Sequence, residues 1–182
     1  EFLVLQLGLL RIKSGRKGEN LHPIPKAFPV GYTQLLPFQL TGAQRRAITE
    51  SVEDMAGPSP MNRLVQGDVG SGKTAVAAAL CWAVIQSGMQ AALMAPTEIL
   101  AAQHYHSLNA LLEPAHITCA LLTGSVKAAE KKKIYKALSD GRIQLVIGTH
   151  ALISDKVEFQ NLGLVITDEQ HRFGVGQRSA LA

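Results

Sequence analysis

The stretch that most constrains the fold of this chain is a glycine-rich loop at residues 67–74. It fits the pattern G-x-x-x-x-G-K-[ST] of phosphate-binding loops, and it stands between a short apolar strand and an apolar helix. Glycines allow successive backbone N–H groups to point at phosphate oxygens, and the N-terminus of the following helix adds positive potential. The pattern therefore predicts a nucleotide site formed by Gly67, Asp68, Val69, Gly70, Ser71, Gly72, Lys73 and Thr74.

Two acidic residues follow another apolar strand, at residues 162–166. Asp168 and Glu169 are costly at the end of a buried strand unless a cation or hydrogen bonds compensate their charge. With a phosphate loop upstream, we expect Asp168 and the Thr74 hydroxyl to hold Mg²⁺ and Glu169 to deprotonate the attacking water. Lys73 is expected to reach the β- and γ-phosphates of the nucleotide.

The composition indicates a globular protein with one sizeable core. Of the 182 residues, 47% are hydrophobic and 18% are charged, which excludes a disordered chain. The net charge of +4 favours polyanionic partners. Cys81 and Cys119 are too few for a disulfide framework, so we expect a reduced, cytoplasmic compartment. No apolar run is long enough to span a membrane.

The order of the predicted elements indicates an α/β fold, a mostly parallel sheet with helices on both faces. Five apolar strands are expected, at residues 63–66, 91–94, 117–122, 144–147 and 162–166. Helices are expected between them, at residues 75–87 and 98–112 and from a cap at Ser125 to about residue 140. Ligands of such sheets bind at the carboxyl ends of the strands, where the phosphate loop and the acidic pair both fall.

Residues 1–37 are interpreted as an N-terminal helix and a linker. The apolar residues 2–12 predict the helix, and the basic, glycine-bearing run at residues 13–18 ends it. Three prolines, at positions 23, 25 and 29, then favour extended chain. The basic run is predicted to be solvated, and contact with nucleic acid is the alternative.

Gln44 has two candidate roles at the start of a helix predicted for residues 38–56. Thr41 and Gln44 have the spacing of a capping box, in which each side chain bonds the backbone of the other residue. The alternative is that the Gln44 amide hydrogen-bonds the adenine edge of a nucleotide. The pattern leaves both roles open.

Three polar clusters stand at strand ends, at residues 96–98, 123–125 and 148–150. Each one could be only a helix cap, but hydroxyl and N–H groups there also suit the phosphates of a nucleic-acid strand. Five lysines after Ser125 are interpreted as a solvated helix face, with nucleic acid again the alternative. They are Lys127, Lys131, Lys132, Lys133 and Lys136. No histidine or cysteine has the spacing of a metal site. The two histidines that are nearest in sequence, His104 and His106, are two residues apart and do not share a helix face.

Taken together, these residues resemble the first motor domain of superfamily-two helicases, and most of all the RecG family of ATP-dependent DNA translocases. The resemblance spans about residues 36–177. It is carried by the runs 36–38 and 40–41 with Gln44, 60–74, 94–101 with Gln103 and His104, 122–125, 148–152 and 168–175.

The resemblance implies a RecA-like phosphate-loop fold for residues 38–182, truncated at the C-terminal end, with residues 1–37 as the tail of an upstream wedge domain. It implies ATP and Mg²⁺ as cofactors and branched or forked DNA as the partner. By position, Phe38 and Gln44 correspond to the adenine-reading motif, and Gln170 and His171 to the link between nucleotide state and DNA grip. The positions that correspond to DNA contacts are Thr97, Gly124, Ser125, Thr149 and His150.

The resemblance also implies parts that this chain lacks, namely a second motor domain and most of the wedge domain. Because the arginine finger of such helicases comes from the second motor domain, the fragment alone is expected to hydrolyse almost no ATP. A transcription-repair coupling translocase is an alternative, but it would carry Thr at Glu98 and Glu at Gln170. A phosphate-loop ATPase that acts without nucleic acid and an interaction module are further alternatives.

Overall fold

A six-stranded sheet forms the centre of the computed structural model, which describes residues 2–7, 20 and 23–168. Helices and strands alternate over most of the chain. They are β1 (Phe2–Leu7), α1 (Val30–Thr33), α2 (Gly42–Met55), β2 (Asn62–Gln66), α3 (Lys73–Gln86), β3 (Gln90–Met94), α4 (Glu98–Leu112), β4 (Cys119–Leu122), α5 (Ala128–Ser139), β5 (Leu145–Gly148) and β6 (Leu162–Asp168). Short 3₁₀ helices at Glu113–Ala115 and His150–Ile153 complete the set.

Five of the six strands point the same way. The order across the sheet is β2-β1-β6-β3-β5-β4, and the pairs β6–β3, β3–β5 and β5–β4 are parallel. Strand β1 is antiparallel to both of its neighbours, so β2 runs in the direction of β6. The carboxyl ends of β2, β3, β4, β5 and β6 therefore lie at one edge of the sheet, which is where ligands of α/β sheets bind.

The predicted N-terminal helix is wrong for the residues that the structure describes there. Phe2–Leu7 forms β1, in which Val4 pairs with both Leu64 and Thr167. A short apolar run does not distinguish a strand from a buried helix by its periodicity, and here two neighbouring strands supply the pairing partners. Residues 8–12 lie outside the described part. The domain boundary after residue 37 stays a prediction; Ile24 and Tyr32, which precede it, are buried in the main core.

Both faces of the sheet are covered, as predicted for an α/β fold. Side chains alternate along β3, so that Ala91 and Leu93 face one apolar cluster and Ala92 and Met94 face another. The first cluster includes α2, α3 and α4, and the second includes α5 and the 3₁₀ helix after β5. Helix α3 lies between other elements and buries ten of its fourteen residues, so its sequence is apolar all round.

Outside this edge, the described residues offer little reactive chemistry. The two cysteines are free, and burial raises the pKa of both thiols, that of Cys119 to about 11. Neither thiol is therefore set up as a nucleophile. No helix among the described residues is long and apolar enough to cross a bilayer.

Candidate functional site

The phosphate loop connects β2 to α3 and curls around its own lysine. The Lys73 ammonium donates hydrogen bonds to the carbonyl oxygens of Gly67, at 2.7 Å, and Asp68, at 2.8 Å. Gly70 and Gly72 have φ angles of 79° and 80°, the left-handed region that glycine adopts without strain. Gly72 is also the N-cap of α3, so the loop passes directly into the N-terminus of a long helix.

Gln44 forms the predicted capping box and also contacts the phosphate loop. Its backbone N–H donates to the Thr41 hydroxyl at 3.2 Å, while its side-chain oxygen accepts from the Thr41 N–H at 2.9 Å. The Nε2 group of the same side chain donates to the Ser71 carbonyl at 2.9 Å, and a Cβ on Gly72 would collide with it. Phe38 is 44% exposed before this helix. The adenine-reading role of both residues stays a prediction.

Asp168 and Thr74 line one small cavity, of about 120 Å³. The alternation along β6 explains the position of the carboxylate: Asp168 follows Leu164 and Ile166 on the face covered by α3 and α4. Lys73 lines the same cavity. The structure therefore brings together the three predicted residues that fall within its described part. Glu169, Gln170 and His171 lie outside that part.

The donor atoms in this cavity fit Mg²⁺. A hydroxyl and a carboxylate supply the hard oxygen ligands that Mg²⁺ prefers, and the Asp168 carboxylate is buried, so a cation would compensate its charge. No group of three His, Cys, Asp or Glu side chains within the described ranges could hold a metal by itself. Mg²⁺ sites usually need only one or two carboxylates, because substrate phosphates and water supply the other ligands.

His104 also lines this cavity, and the sequence predicted no role for it. His104, on α4, lies with its Nε2 atom 2.6 Å from Oδ2 of Asp168. The sequence contained a signal: α4 follows β3, and β3 pairs with β6, so the second turn of α4 passes near the end of β6. The spacing of His104 and His106 excludes a histidine pair on one helix face but not a single histidine beside the acid.

The three polar clusters meet at a second cavity on the same edge of the sheet, of about 410 Å³. Its lining residues come from the ends of β3, β4 and β5. They are Pro96, Thr97, Glu98, Gly124, Thr149, His150 and Ala151. Thr97 is the N-cap of α4, and its hydroxyl accepts from the Leu100 N–H at 3.2 Å. Capping and lining of the cavity are thus compatible roles for this residue.

Of the two roles predicted for Ser125, a helix cap and a DNA contact, the structure contradicts the cap. Helix α5 begins at Ala128 with Lys127 as its N-cap, so the expected cap at Ser125 is wrong. The Ser125 hydroxyl instead bonds the Thr123 hydroxyl at 2.9 Å, and its N–H donates to a carboxylate oxygen of Glu98 at 3.1 Å. These contacts hold the turn before α5 against the start of α4.

Glu98 is the charged side chain at the centre of this turn. Hydrogen bonds from Ser125 lower the pKa of the Glu98 carboxyl, and the Gly124 N–H and the Lys131 ammonium act in the same direction. Lys131 also donates to the Gly124 carbonyl at 2.7 Å. The carboxylate therefore accepts hydrogen bonds from backbone N–H groups that were predicted to bind nucleic-acid phosphates.

Comparison with known proteins identifies the family. A family model for DEAD/DEAH box helicases matches residues 41–182. The chain belongs to the DEAD/DEAH box helicase family. Within this family it is 50% identical over 186 residues to the ATP-dependent DNA helicase RecG of Synechocystis sp., and 51% identical over 183 residues to RecG of Aquifex aeolicus. The predicted resemblance to RecG is confirmed.

A solved structure of a RecG protein shows the same fold. The structure of RecG bound to a three-way DNA junction matches with a TM-score of 0.78 and 48% sequence identity, over 86% of this chain. The predicted RecA-like fold is confirmed. The chain spans only 22% of that structure's chain, and 22% and 23% of the Synechocystis and Aquifex proteins.

Proposed function

We propose that this chain is the ATP-binding first motor domain of a DNA helicase or translocase that remodels branched DNA, such as forks and Holliday junctions, in recombination and repair. The observation that carries the proposal is the pair of cavities at one edge of the sheet. One combines a phosphate loop with a buried carboxylate, and the other gathers the polar ends of three strands. The similarity to RecG proteins, one of them bound to a three-way junction, supports the choice of DNA.

In this proposal the nucleotide phosphates bind the loop between β2 and α3. Backbone N–H groups of the loop and the N-terminus of α3 favour their negative charge. Lys73, which bonds the carbonyls of Gly67 and Asp68, can exchange these neutral acceptors for charged phosphate oxygens. Gln44 bonds the Ser71 carbonyl and so fixes the loop relative to α2.

Thr74 and Asp168 would hold Mg²⁺ between them and the phosphates. When bound, the ion neutralises charge that develops on the transferred phosphoryl group. Glu169 is proposed as the residue that orients and deprotonates the attacking water. Gln170 and His171 are proposed to relate the state of the nucleotide to the grip on DNA.

The larger cavity is proposed to contact the phosphates of a DNA strand. Thr97, Thr149 and His150 line it, and the N–H groups of the turn at Gly124 and Ser125 lie beside it. Such contacts position a strand without reading its sequence, which suits a motor that moves along DNA of any sequence.

In this proposal the complete machine also includes two further domains. A second motor domain would supply the arginine finger and close over the nucleotide, and a wedge domain would engage the junction. ATP hydrolysis coupled to duplex translocation is therefore proposed for the whole protein, and the isolated chain is expected to be almost inactive. A cytoplasmic location stays a prediction.

ATP turnover of the full-length protein tests the proposal. Turnover is measured without DNA, with linear duplex and with a three-way junction, and Lys73→Ala serves as the inactive control. We expect the junction to stimulate turnover of the unsubstituted protein strongly and that of the variant not at all. Turnover that no DNA stimulates would contradict the DNA motor and favour a phosphate-loop ATPase with another partner.

A further inference from the structure

The imidazole of His104 forms a hydrogen bond with the Asp168 carboxylate, which is proposed to hold the metal. Its Nε2 atom lies 2.6 Å from Oδ2 of Asp168, a pair separated by 64 residues in the sequence. The His104 side chain is 19% exposed and that of Asp168 is 10% exposed, so the contact is largely shielded from water. Nε2 is the donor of this hydrogen bond when the carboxylate is ionised, because an ionised carboxylate can only accept hydrogen bonds.

Packing holds this imidazole in place. Ala101 and Leu108 lie three residues before and four residues after His104 on α4, and both are completely buried in the main core. Residues at these spacings share one face of a helix. His104 therefore projects from the packed face of α4, at a helix position that the core fixes rather than at a mobile surface.

Asp168 has no other side-chain hydrogen bond within the described part of the chain. Its Oδ2 atom is taken by His104, while Thr74 and Lys73 line the same cavity. A carboxylate can adopt several orientations about its last torsion, which is broad for Asp. One short hydrogen bond to a fixed donor selects one of these orientations.

We propose that His104 is a positioning residue for the magnesium site: by bonding Oδ2 it fixes the Asp168 carboxylate so that Oδ1 is held ready for the metal. The inference rests on the proposed function, in which Asp168 and Thr74 hold Mg²⁺. Hydrogen-bonded partners of metal-binding carboxylates typically change metal affinity by about 10- to 100-fold when they are removed. His104 itself is not assigned as a ligand, since Mg²⁺ prefers oxygen.

A role in the metal site differs measurably from a role in packing. If His104 only supported the fold, its loss would weaken nucleotide binding whether or not Mg²⁺ was present. If it positions Asp168 for the metal, its loss weakens only the part of nucleotide affinity that Mg²⁺ supplies. The Mg²⁺-dependent gain in affinity is therefore the quantity to measure.

The experiment titrates a non-hydrolysable ATP analogue into the full-length protein by calorimetry, once with excess Mg²⁺ and once with EDTA. Three variants are compared with the unsubstituted protein: His104→Ala, His104→Gln and His106→Ala. The glutamine can place an N–H group near the position of Nε2, so it is the rescue variant. His106 is an exposed histidine on the same helix and is the matched control.

We expect His104→Ala to reduce the Mg²⁺-dependent gain by about 10- to 100-fold and to leave affinity in EDTA unchanged. His104→Gln should recover most of the gain, and His106→Ala should behave as the unsubstituted protein. An unchanged gain in His104→Ala, or an equal loss with Mg²⁺ and with EDTA, would overturn the positioning role. If the unsubstituted protein bound no nucleotide in either condition, the proposed function would fail and the positioning role with it.

Discussion

The phosphate loop and the turn at Gly124 and Ser125 both present backbone groups at the same edge of the sheet, and a lysine bonds a carbonyl oxygen in each. In the turn, a carboxylate also bonds backbone N–H groups. In the loop, the Lys73 ammonium bonds two carbonyl oxygens. In the turn, the Glu98 carboxylate accepts from the Ser125 N–H. A phosphate at either place meets a lysine, but at the turn it also meets a carboxylate that already occupies an N–H group. We therefore expect tight, lysine-dependent binding at the loop and weaker, adjustable binding at the turn.

Lys73→Ala should cause the largest loss of affinity, and it should affect only the nucleotide that binds at the phosphate loop. Hydrogen bonds to charged groups contribute about 1.5–3 kcal/mol, so the affinity for Mg-ATP should fall about 10- to 150-fold. Calorimetry measures the affinity, and circular dichroism checks that the fold is intact. Lys133→Ala, an exposed lysine on α5, is the control and should change nothing. Unchanged Mg-ATP affinity in a folded Lys73→Ala variant would sink the assignment of the loop.

Gly148→Ala should destabilise the part of the sheet that carries the turn at Gly124 and Ser125. Gly148 ends β5, and a Cβ there would collide with the Leu122 carbonyl of the neighbouring strand β4. Backbone cannot yield easily, so we expect a loss of about 1–3 kcal/mol in the free energy of unfolding, measured by urea denaturation. Gly42→Ala is the control, because an added Cβ there meets nothing within 4 Å. Equal stability of the two variants would show that β4 and β5 are not held so closely.

Gln44 allows capping to be separated from nucleotide binding. Gln44→Glu keeps an acceptor for the Thr41 N–H but loses the donor to the Ser71 carbonyl, whereas Gln44→Ala loses both. We expect both variants to weaken the preference for ATP over GTP, and Gln44→Ala to lose about 1 kcal/mol more stability than Gln44→Glu, because it also lacks the capping acceptor. Competition binding and thermal unfolding measure the two effects. An ATP preference that neither substitution alters would leave Gln44 as a helix cap alone.

Glu98→Gln should have the smallest effect of these substitutions, and it should increase an affinity instead of decreasing it. Glutamine retains an oxygen that can accept from Ser125, and it removes the negative charge that would repel a DNA phosphate. We expect the affinity for junction DNA to rise by a few-fold at low salt and the difference to shrink at high salt. Glu113→Gln removes the same charge beyond the far end of α4 and serves as the control. Weaker DNA binding by Glu98→Gln would show that the carboxylate helps the phosphate contact instead of competing with it.

The sequence predicted the nucleotide-binding region well. The phosphate loop is a contiguous motif, and the five predicted strands lie close to those observed because apolar runs between glycine and proline signals have few alternatives. The alternation of strands and helices also placed the loop and Asp168 at one edge. These features depend on local pattern and on a topology rule, and neither requires knowledge of side-chain contacts.

The sequence did not predict contacts between side chains that are distant along the chain. The bonds of His104 to Asp168 and of Glu98 to Ser125 join residues 64 and 27 positions apart. The dual role of Gln44 belongs to the same class, since its second partner lies 27 residues away. Strand β1 was missed for a related reason: its structure depends on partners supplied by β2 and β6, and its own periodicity does not reveal them.

The most direct test of the comparison measures two affinities on one full-length protein: nucleotide without DNA, and junction DNA without nucleotide. The variant carries Ser125→Ala and His150→Ala, which remove polar groups from the turn and the larger cavity but leave the phosphate loop intact. If nucleotide and DNA bind at separate regions, the DNA affinity should fall about tenfold or more, while the nucleotide affinity should stay within about twofold. Unchanged DNA affinity, or an equal loss of both affinities, would contradict the account.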